Sequence, residues 1–320
     1  MLVDVILPTY RGKRWVANAV ESVRDQTYPN WHLWIVDDAS DDGTLEFLWR
    51  RYGQDDRITI SGLPENQRTP GARMNVIRKA SGGALAFIDQ DDLWMPDKLA
   101  RQVELLARSN VHAVHTDCIH IDAYGYEIPR AADRENTRRA RLDWAADAAQ
   151  LVPELYRASS IRIVSALIDR AAFDAVGGFD TVNYGVEEWE FWIRFAAQGY
   201  KMAHLPAPLF AHRDHATNAS KIYVLERLRN VLHMADVVAQ DYSITGPLVQ
   251  RTKIWALRNI VINGLIQGRG AEVQEEIDAL LRAGKAWAYG LRVLSWLPGH
   301  RVFSSAGLKL ALNLVPTLGM

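Results

Sequence analysis

Over the first 115 residues, short apolar runs alternate with segments of helical period, and that alternation specifies a parallel α/β sheet. Val3 to Leu7, Leu33 to Val36, Ile58 to Ile60 and Ala84 to Ile88 read as successive strands, with Val111 to Thr116 resuming the sheet. The run from Ala84 lacks polar alternation, as a strand buried on both faces must. Between these runs, Val16, Ala19, Val20 and Val23 share one helical face. Leu45, Leu48 and Tyr52 mark a second helix behind Asp41 or Asp42 as N-cap. Gly71 to Ala80 is a third, stopped by Gly82-Gly83, and Pro96 opens a fourth that carries Leu99, Val103 and Leu106 inward.

The pattern loosens beyond residue 117. Residues 120–160 read as a connection plus a surface helix, and the Arg-dense stretch from Arg130 to Arg141 as a solvated helix face. Ile161 to Ile168 is apolar again, and Phe173 and Val176 close a short helix against Gly177-Gly178. Glu187 to Gln198 is helical up to Gly199. From about Lys221 the period is helical throughout, with breaks at Gly246-Pro247 and Gly268 to Gly270. The expected division is therefore 1–220 followed by a helical region over 221–320.

Composition narrows the function classes. Apolar residues make up 48% of the 320 and charged residues 23%, enough to bury a core. The net charge of −1 supplies no global field to recruit nucleic acid or an anionic membrane. The single cysteine, Cys118, excludes an internal disulfide framework and fits a reducing compartment. Met1-Leu2-Val3-Asp4 shows no basic signal region, and nowhere do 18 apolar residues run uninterrupted, so a cytoplasmic chain without a membrane span is expected.

The chemistry is carried by acidic clusters. Asp37-Asp38 follows the second strand directly, and Asp89, Asp91 and Asp92 follow the fourth. Ligands of open α/β sheets bind beyond the carboxyl ends of the strands, so both clusters point to one edge. Packed carboxylates repel one another and lose hydration. A hard divalent cation, Mg²⁺ or Mn²⁺, compensates them and also takes oxygens from substrate phosphates. The competing reading makes these aspartates helix caps and turn formers. Glu187, Glu188 and Glu190 form a third group at the start of a helix, where the dipole alone would favour them. Beside a metal, one of them becomes a candidate general base.

These segments resemble family 2 glycosyltransferases of the GT-A fold. The resemblance rests on Ile6-Leu7-Pro8-Thr9-Tyr10, Val36-Asp37-Asp38-Ala39-Ser40, Gly71-Ala72-Arg73-Met74-Asn75, Asp89-Gln90-Asp91-Asp92, Val176-Gly177-Gly178-Phe179-Asp180 and Glu187-Glu188-Trp189-Glu190, in that order over about residues 2–220. It implies a Rossmann-like mixed sheet flanked by helices, with residues 1–117 as the nucleotide-sugar half and 118–220 as the acceptor and catalytic half. Asp38 would bind the donor's base or ribose, with Pro8, Thr9 and Tyr10 lining that pocket. Asp91 would be the main metal ligand, with Asp89 of the DxD motif close by, and Arg73 would face the donor phosphates. Glu188 stands where the family's base is usually Asp, which leaves Glu187 as its rival. His215 resembles a late histidine that approaches the metal or diphosphate. The implied reaction is an inverting, metal-dependent transfer from a nucleoside-diphosphate sugar, a UDP-sugar first among donors, to a hydroxyl of a saccharide or lipid-linked saccharide. The usual setting is polysaccharide or O-antigen assembly.

Other readings compete. Two carboxylates also serve glycoside hydrolysis, and a nucleotidyltransferase shares metal-held phosphates. Against these stand the nucleotide-pocket motif, which a hydrolase does not need, and the absence of GxGxxG or GxxxxGK[ST]. The Glu188 departure favours a non-catalytic sugar- or nucleotide-binding protein. His112, Cys118 and His120 share strand parity, but His112 and Cys118 lie about 20 Å apart if extended, so they read as structural. The last hundred residues interleave Trp255, Trp287, Tyr289 and Trp296 with Arg251, Lys253, Arg258 and Arg292. They read as a helical subdomain with an aromatic core. The alternatives are amphipathic helices over 286–315 resting on a membrane surface, or a homodimer contact.

Overall fold

The computed structural model describes residues 1–128, 136–242, 244, 246–285 and 288. The chain divides into two compact units, Met1–Asn218 and Ala219–Met320. The first is built on one eight-stranded sheet in the order β3-β2-β1-β4-β7-β6-β8-β5. Its strands are β1 (Val3–Thr9), β2 (Trp31–Asp37), β3 (Ile58–Gly62), β4 (Ala84–Phe87), β5 (Leu93–Trp94), β6 (Ala113–Ile121), β7 (Leu167–Asp169) and β8 (Met202–Arg213).

β1 pairs parallel with β2 and β4, and β2 with β3. The short β7 runs antiparallel between β4 and β6, so β6 again points the same way as β4. β8 is parallel to β6, and β5 is antiparallel to β8 at the edge. The sheet is thus mixed, as expected, and six of its strands end at one rim.

Helices α1 (Val16–Arg24), α2 (Thr44–Tyr52), α3 (Arg68–Ile77) and α4 (Lys98–Arg108) connect the first strands. α1 buries Val16, Ala19, Val20 and Val23, the face its period assigned. α3 begins three residues before the expected Gly71, because Pro70 fits a first helical turn. α4 departs more. Of Leu99, Val103 and Leu106 only Leu99 is buried, and Lys98 and Gln102 take the other inward positions. The Lys98 ammonium donates to Gln102 Oε1 (2.8 Å) and lies 4.2 Å over the Trp94 ring. Burial pushes its pKa down to about 7. Gln102 then donates to the carbonyls of Val114 and Ser165, so a closed polar chain replaces an apolar contact.

In the second half, α5 (Ala148–Arg157) buries Leu151, Val152, Leu155 and Tyr156, so it is not a purely surface helix. Arg139 corrects the solvated-face reading. It is 2% exposed, and its guanidinium reaches Asp117, Asn136 and the Ser160 carbonyl; Arg130 lies outside the described residues. α6 (Arg170–Val176) ends at Gly177 with φ of +94°, the left-handed stop its Gly-Gly pair announces. α7 (Glu187–Ala197) follows, and Arg194 on it donates to the carbonyls of Val176 and Gly178. β8 carries no strand signal because Pro206 and Pro208 interrupt it. Both fall where its register with β6 slips, the position in a sheet where a missing N–H does least harm.

The second unit contains α8 (Ala219–Ile222), α9 (Val224–Asp241), α10 (Gly246–Ile266) and α11 (Gln274–Arg282). Gly246-Pro247 opens α10 rather than only breaking the chain. Its core is aliphatic, built on Leu225, Leu228, Ile260, Val261, Ile277 and Leu280, with Trp255 only partly buried against it. The expected aromatic core therefore fails for Trp255, and Trp287, Tyr289, Arg292 and Trp296 lie outside the described residues. Among those residues no helix is long and apolar enough to cross a membrane.

Candidate active site

The rim where the strands end gathers the acidic clusters. The Asp38 amide donates to the Thr9 carbonyl (2.8 Å), and the Ile88 amide to Ile6 (3.1 Å), so the exits of β1, β2 and β4 are adjacent. Three non-glycine residues with positive φ sit on this rim: Arg11 (50°), Ala39 (63°) and Arg68 (60°). Such strain costs on the order of 1–3 kcal/mol each and collects at functional sites. Arg11 and Asp41 close a two-pronged ion pair (2.7 Å for each prong) across the loops after β1 and β2.

The Asp37-Asp38 pair does much of what turn formers do. Asp37 Oδ1 accepts from the Ser40 amide (2.9 Å) and Asp38 Oδ1 from the Gln67 amide (2.7 Å), fixing the entry to α3. Asp42 accepts from the Thr44 amide at the start of α2. The Asp37 Oδ2 atom is buried with no hydrogen-bond partner. Burial raises the pKa of both Asp37 and Asp38. Pro8 and Thr9 are buried beneath them, whereas Tyr10 is 38% exposed on the rim.

Arg73 occupies the centre. It is 1% exposed, with Nη2 2.7 Å from Asp89 and Nη1 2.8 Å from Glu188. Burial works against its charge, and the two carboxylates more than offset that, so its pKa stands above the ordinary value. Each terminal nitrogen thus donates to a carboxylate of this chain. The salt bridge ties the β4 exit to α7, and with it the N-terminal half of the unit to the C-terminal half. Glu188 Oε2 also accepts from the Ile163 amide (3.0 Å), and its side chain is 28% exposed.

Glu187 points elsewhere. It is 5% exposed and accepts from the Gly185 amide (2.5 Å). Burial, then the neighbouring Glu188 charge, pushes its carboxyl up to about 7 from 4.5. A carboxyl raised in the folded state contributes stability that is complete below pH 4.5 and lost as pH rises through about 7. Glu187→Gln keeps the shape without the charge, and is expected to match the parent at pH 4.5 yet exceed it by about 3 kcal/mol at pH 8. Urea unfolding at the two pH values reads this directly; equal pH slopes for both proteins would exclude it.

Asp91 faces the other way along the rim. Its Oδ2 lies 2.7 Å from His215 Nε2, and His215 stacks on Trp15 with ring centroids 4.2 Å apart. Asp92, by contrast, is 1% exposed and accepts from the Arg213 amide (3.0 Å) and approaches His212 Nδ1 (3.1 Å), a structural post under the rim. Trp15, Arg213 and Asn218 were not legible as site residues. Arg213 donates to the Asp91 carbonyl (2.8 Å) and Asn218 to the Arg213 carbonyl (3.1 Å). For Arg213 and Asn218 the only sequence signal is nearness to His215, and Trp15, 200 residues away, carries none. His112, Cys118 and His120 take separate partners, in the Lys201 amide, Arg139 and His212.

Comparison with known proteins bears on this arrangement. The family model described as glycosyl transferase family 2 matches residues 4–161. The chain belongs to the family 2 glycosyltransferases. The putative teichuronic acid biosynthesis glycosyltransferase TuaG of Bacillus subtilis (strain 168) is 41% identical over 105 residues, 33% of this chain and 42% of that protein. The UDP-Glc:α-D-GlcNAc-diphosphoundecaprenol β-1,3-glucosyltransferase WfgD of Escherichia coli is 35% identical over 114 residues, 34% of this chain and 43% of that protein. The matched stretch spans less than half the length of either relative. Among solved structures, the mannosyltransferase PcManGT from Pyrobaculum calidifontis, in complex with GDP-Man and Mn²⁺, superposes with a TM-score of 0.60 at 22% identity, covering 98% of this chain and 87% of that one. That likeness establishes the shared GT-A fold of this family 2 chain.

Proposed function

We propose that this family 2 chain transfers a sugar from a nucleoside-diphosphate sugar to an acceptor hydroxyl, in a divalent-metal-dependent, inverting reaction. The observation that carries the reading is the Asp89–Arg73–Glu188 bridge beside the Asp91–His215 pair, which sets the loop after β4 and a partly exposed carboxylate at one rim. The residues fit a hard cation. Asp91 and His215 already share a short contact, and among the described residues no third acidic or histidine side chain closes a cage around them. A cation so held takes its remaining oxygens from phosphate and water. Asp91 and His215 would hold Mn²⁺ or Mg²⁺, with Asp89 held to Arg73, and the cation's charge would offset that gathering on the departing diphosphate.

Glu188 is the general base in this reading. Its carboxylate is reachable from the rim, whereas Glu187 is enclosed and turned toward Gly185. Glu188 takes the proton as the acceptor oxygen attacks the anomeric carbon and the bond to diphosphate breaks on the opposite face. Arg73 aims Glu188 and keeps Asp89 from repelling it. Pro8, Thr9, Tyr10 and Asp38 border the nucleoside. The names of TuaG and WfgD support a saccharide or lipid-linked saccharide acceptor, a UDP-sugar as the first donor to try, and a place in surface-polysaccharide synthesis. The reading places the reaction in the cytoplasm, where the donor pool and the single cysteine are both at home.

Melting curves with UDP, GDP, dTDP and CDP, each with and without Mn²⁺, test the proposal. A ligand at about 100 times its dissociation constant stabilises by about 2.7 kcal/mol, which the midpoint reports. One nucleotide is expected to raise the midpoint only when Mn²⁺ is present. Flat curves for all four would count against a nucleotide donor.

A further inference from the structure

Between the two metal-loop aspartates lies a side chain that neither the acidic clusters nor the reaction accounts for. Gln90 Oε1 accepts from the Thr9 hydroxyl (2.6 Å) and from the Tyr10 amide (2.9 Å), and its Nε2 donates to the Tyr10 carbonyl (3.2 Å). The amide therefore pairs with the Tyr10 backbone in both directions, as a neighbouring strand would. Gly12 closes over it: a Cβ there would stand 2.2 Å from Gln90 Oε1 and 2.3 Å from Thr9 Oγ1. A side chain at position 12 would have to push Gln90 or Thr9 out of this clamp.

We propose that Gln90 is a positioning residue that locks the nucleoside-binding loop after β1 to the metal-binding loop after β4. The two loops then grip the nucleoside and the diphosphate of one donor at a fixed separation. This rests on the nucleotide-sugar reading above. The chemistry of the residue fits the task. Glutamine offers a donor and an acceptor in one planar neutral group, whereas a glutamate would forfeit the bond to the Tyr10 carbonyl. It would also add a charge between Asp89 and Asp91. Serine or alanine would not reach.

The clamp has a thermodynamic signature separable from folding. While the loops are locked, metal binding at one prepays the ordering of the other, so Mn²⁺ raises nucleotide affinity by a large factor. Full-length Gln90→Ala, Thr9→Val and the double variant, titrated calorimetrically with the nucleotide that shifts the parent's melting midpoint, measure that factor. In Gln90→Ala the Mn²⁺ enhancement is expected to fall about tenfold. The unliganded midpoint should move little, and the double variant should be no worse than Gln90→Ala alone, because both remove one linkage. Amide hydrogen exchange at Tyr10 should accelerate in Gln90→Ala without any ligand. An unchanged enhancement, additive losses, or a lowered midpoint with the enhancement intact would each overturn the proposal and leave Gln90 a structural residue. If no nucleotide binds the parent, the donor reading fails. Exchange at Tyr10 still decides the clamp, and an unaltered rate there would refute it independently.

Discussion

Replacing Arg73 by methionine is expected to cost about 3–5 kcal/mol of stability and to remove turnover, the range seen when a buried ion pair loses one partner. Arg73 neutralises Asp89 on one side and Glu188 on the other, at 2.7 and 2.8 Å, from a position 1% exposed. Without it, two partly exposed carboxylates face one another across the space Arg73 filled, and a methionine cannot answer either. The deficit should shrink as pH falls, because burial already raises the Asp89 carboxyl above its ordinary range and its protonation removes uncompensated charge. Urea unfolding at pH 8 and pH 5 checks both the size and the trend. A midpoint at pH 8 equal to the parent's would show that the bridge contributes nothing to the fold. Turnover is expected to vanish even in preparations that remain folded, since Glu188 would be free to leave its post.

Asp91→Asn is the second large effect. The substitution preserves shape and removes the carboxylate charge that faces His215. Transfer is expected to fall by more than about 1,000-fold, about 4 kcal/mol in barrier, and the Mn²⁺-dependent melting shift to disappear with it. Activity retained in that variant would sink the metal assignment. Glu188→Gln should behave differently, losing turnover while keeping the metal-dependent nucleotide shift. It gives up one of the two bonds to Arg73 and the Ile163 amide, a modest cost in stability. Full turnover in Glu188→Gln would pass the role of base to another group.

The parallel half of the sheet was legible because period alone fixes it. β2 and β4 sit where unbroken apolar runs stand and β1 where only Asp4 interrupts one, and α1 buries the four residues its spacing put on one face. The shared rim followed from Asp37 and Asp89 coming directly after strands. What period cannot see is long-range pairing. β7 is three residues long, and its place between β4 and β6 depends on partners more than 45 residues away in sequence. β8 hid behind two prolines. Polar burial was equally hidden: the period turned Leu99, Val103 and Leu106 inward, whereas Lys98 and Gln102 are buried by partners from Trp94, Val114 and Ser165. The same holds at the site. Arg73 and Glu188 were each picked out, but their salt bridge spans 115 residues, and no local pattern announces it.

The antiparallel insertion of β7 also has a consequence for how the chain is made. β4 has β1 as a partner on one side as soon as it emerges, but its other side is filled only by residues 167–169. At ribosomal speed the gap of ~80 residues lasts roughly 4–16 s, during which an all-apolar strand presents an open edge to its surroundings. The nascent chain thus passes through a window of vulnerability set by topology, and a chaperone that shields that edge would act before the second half of the enzyme exists.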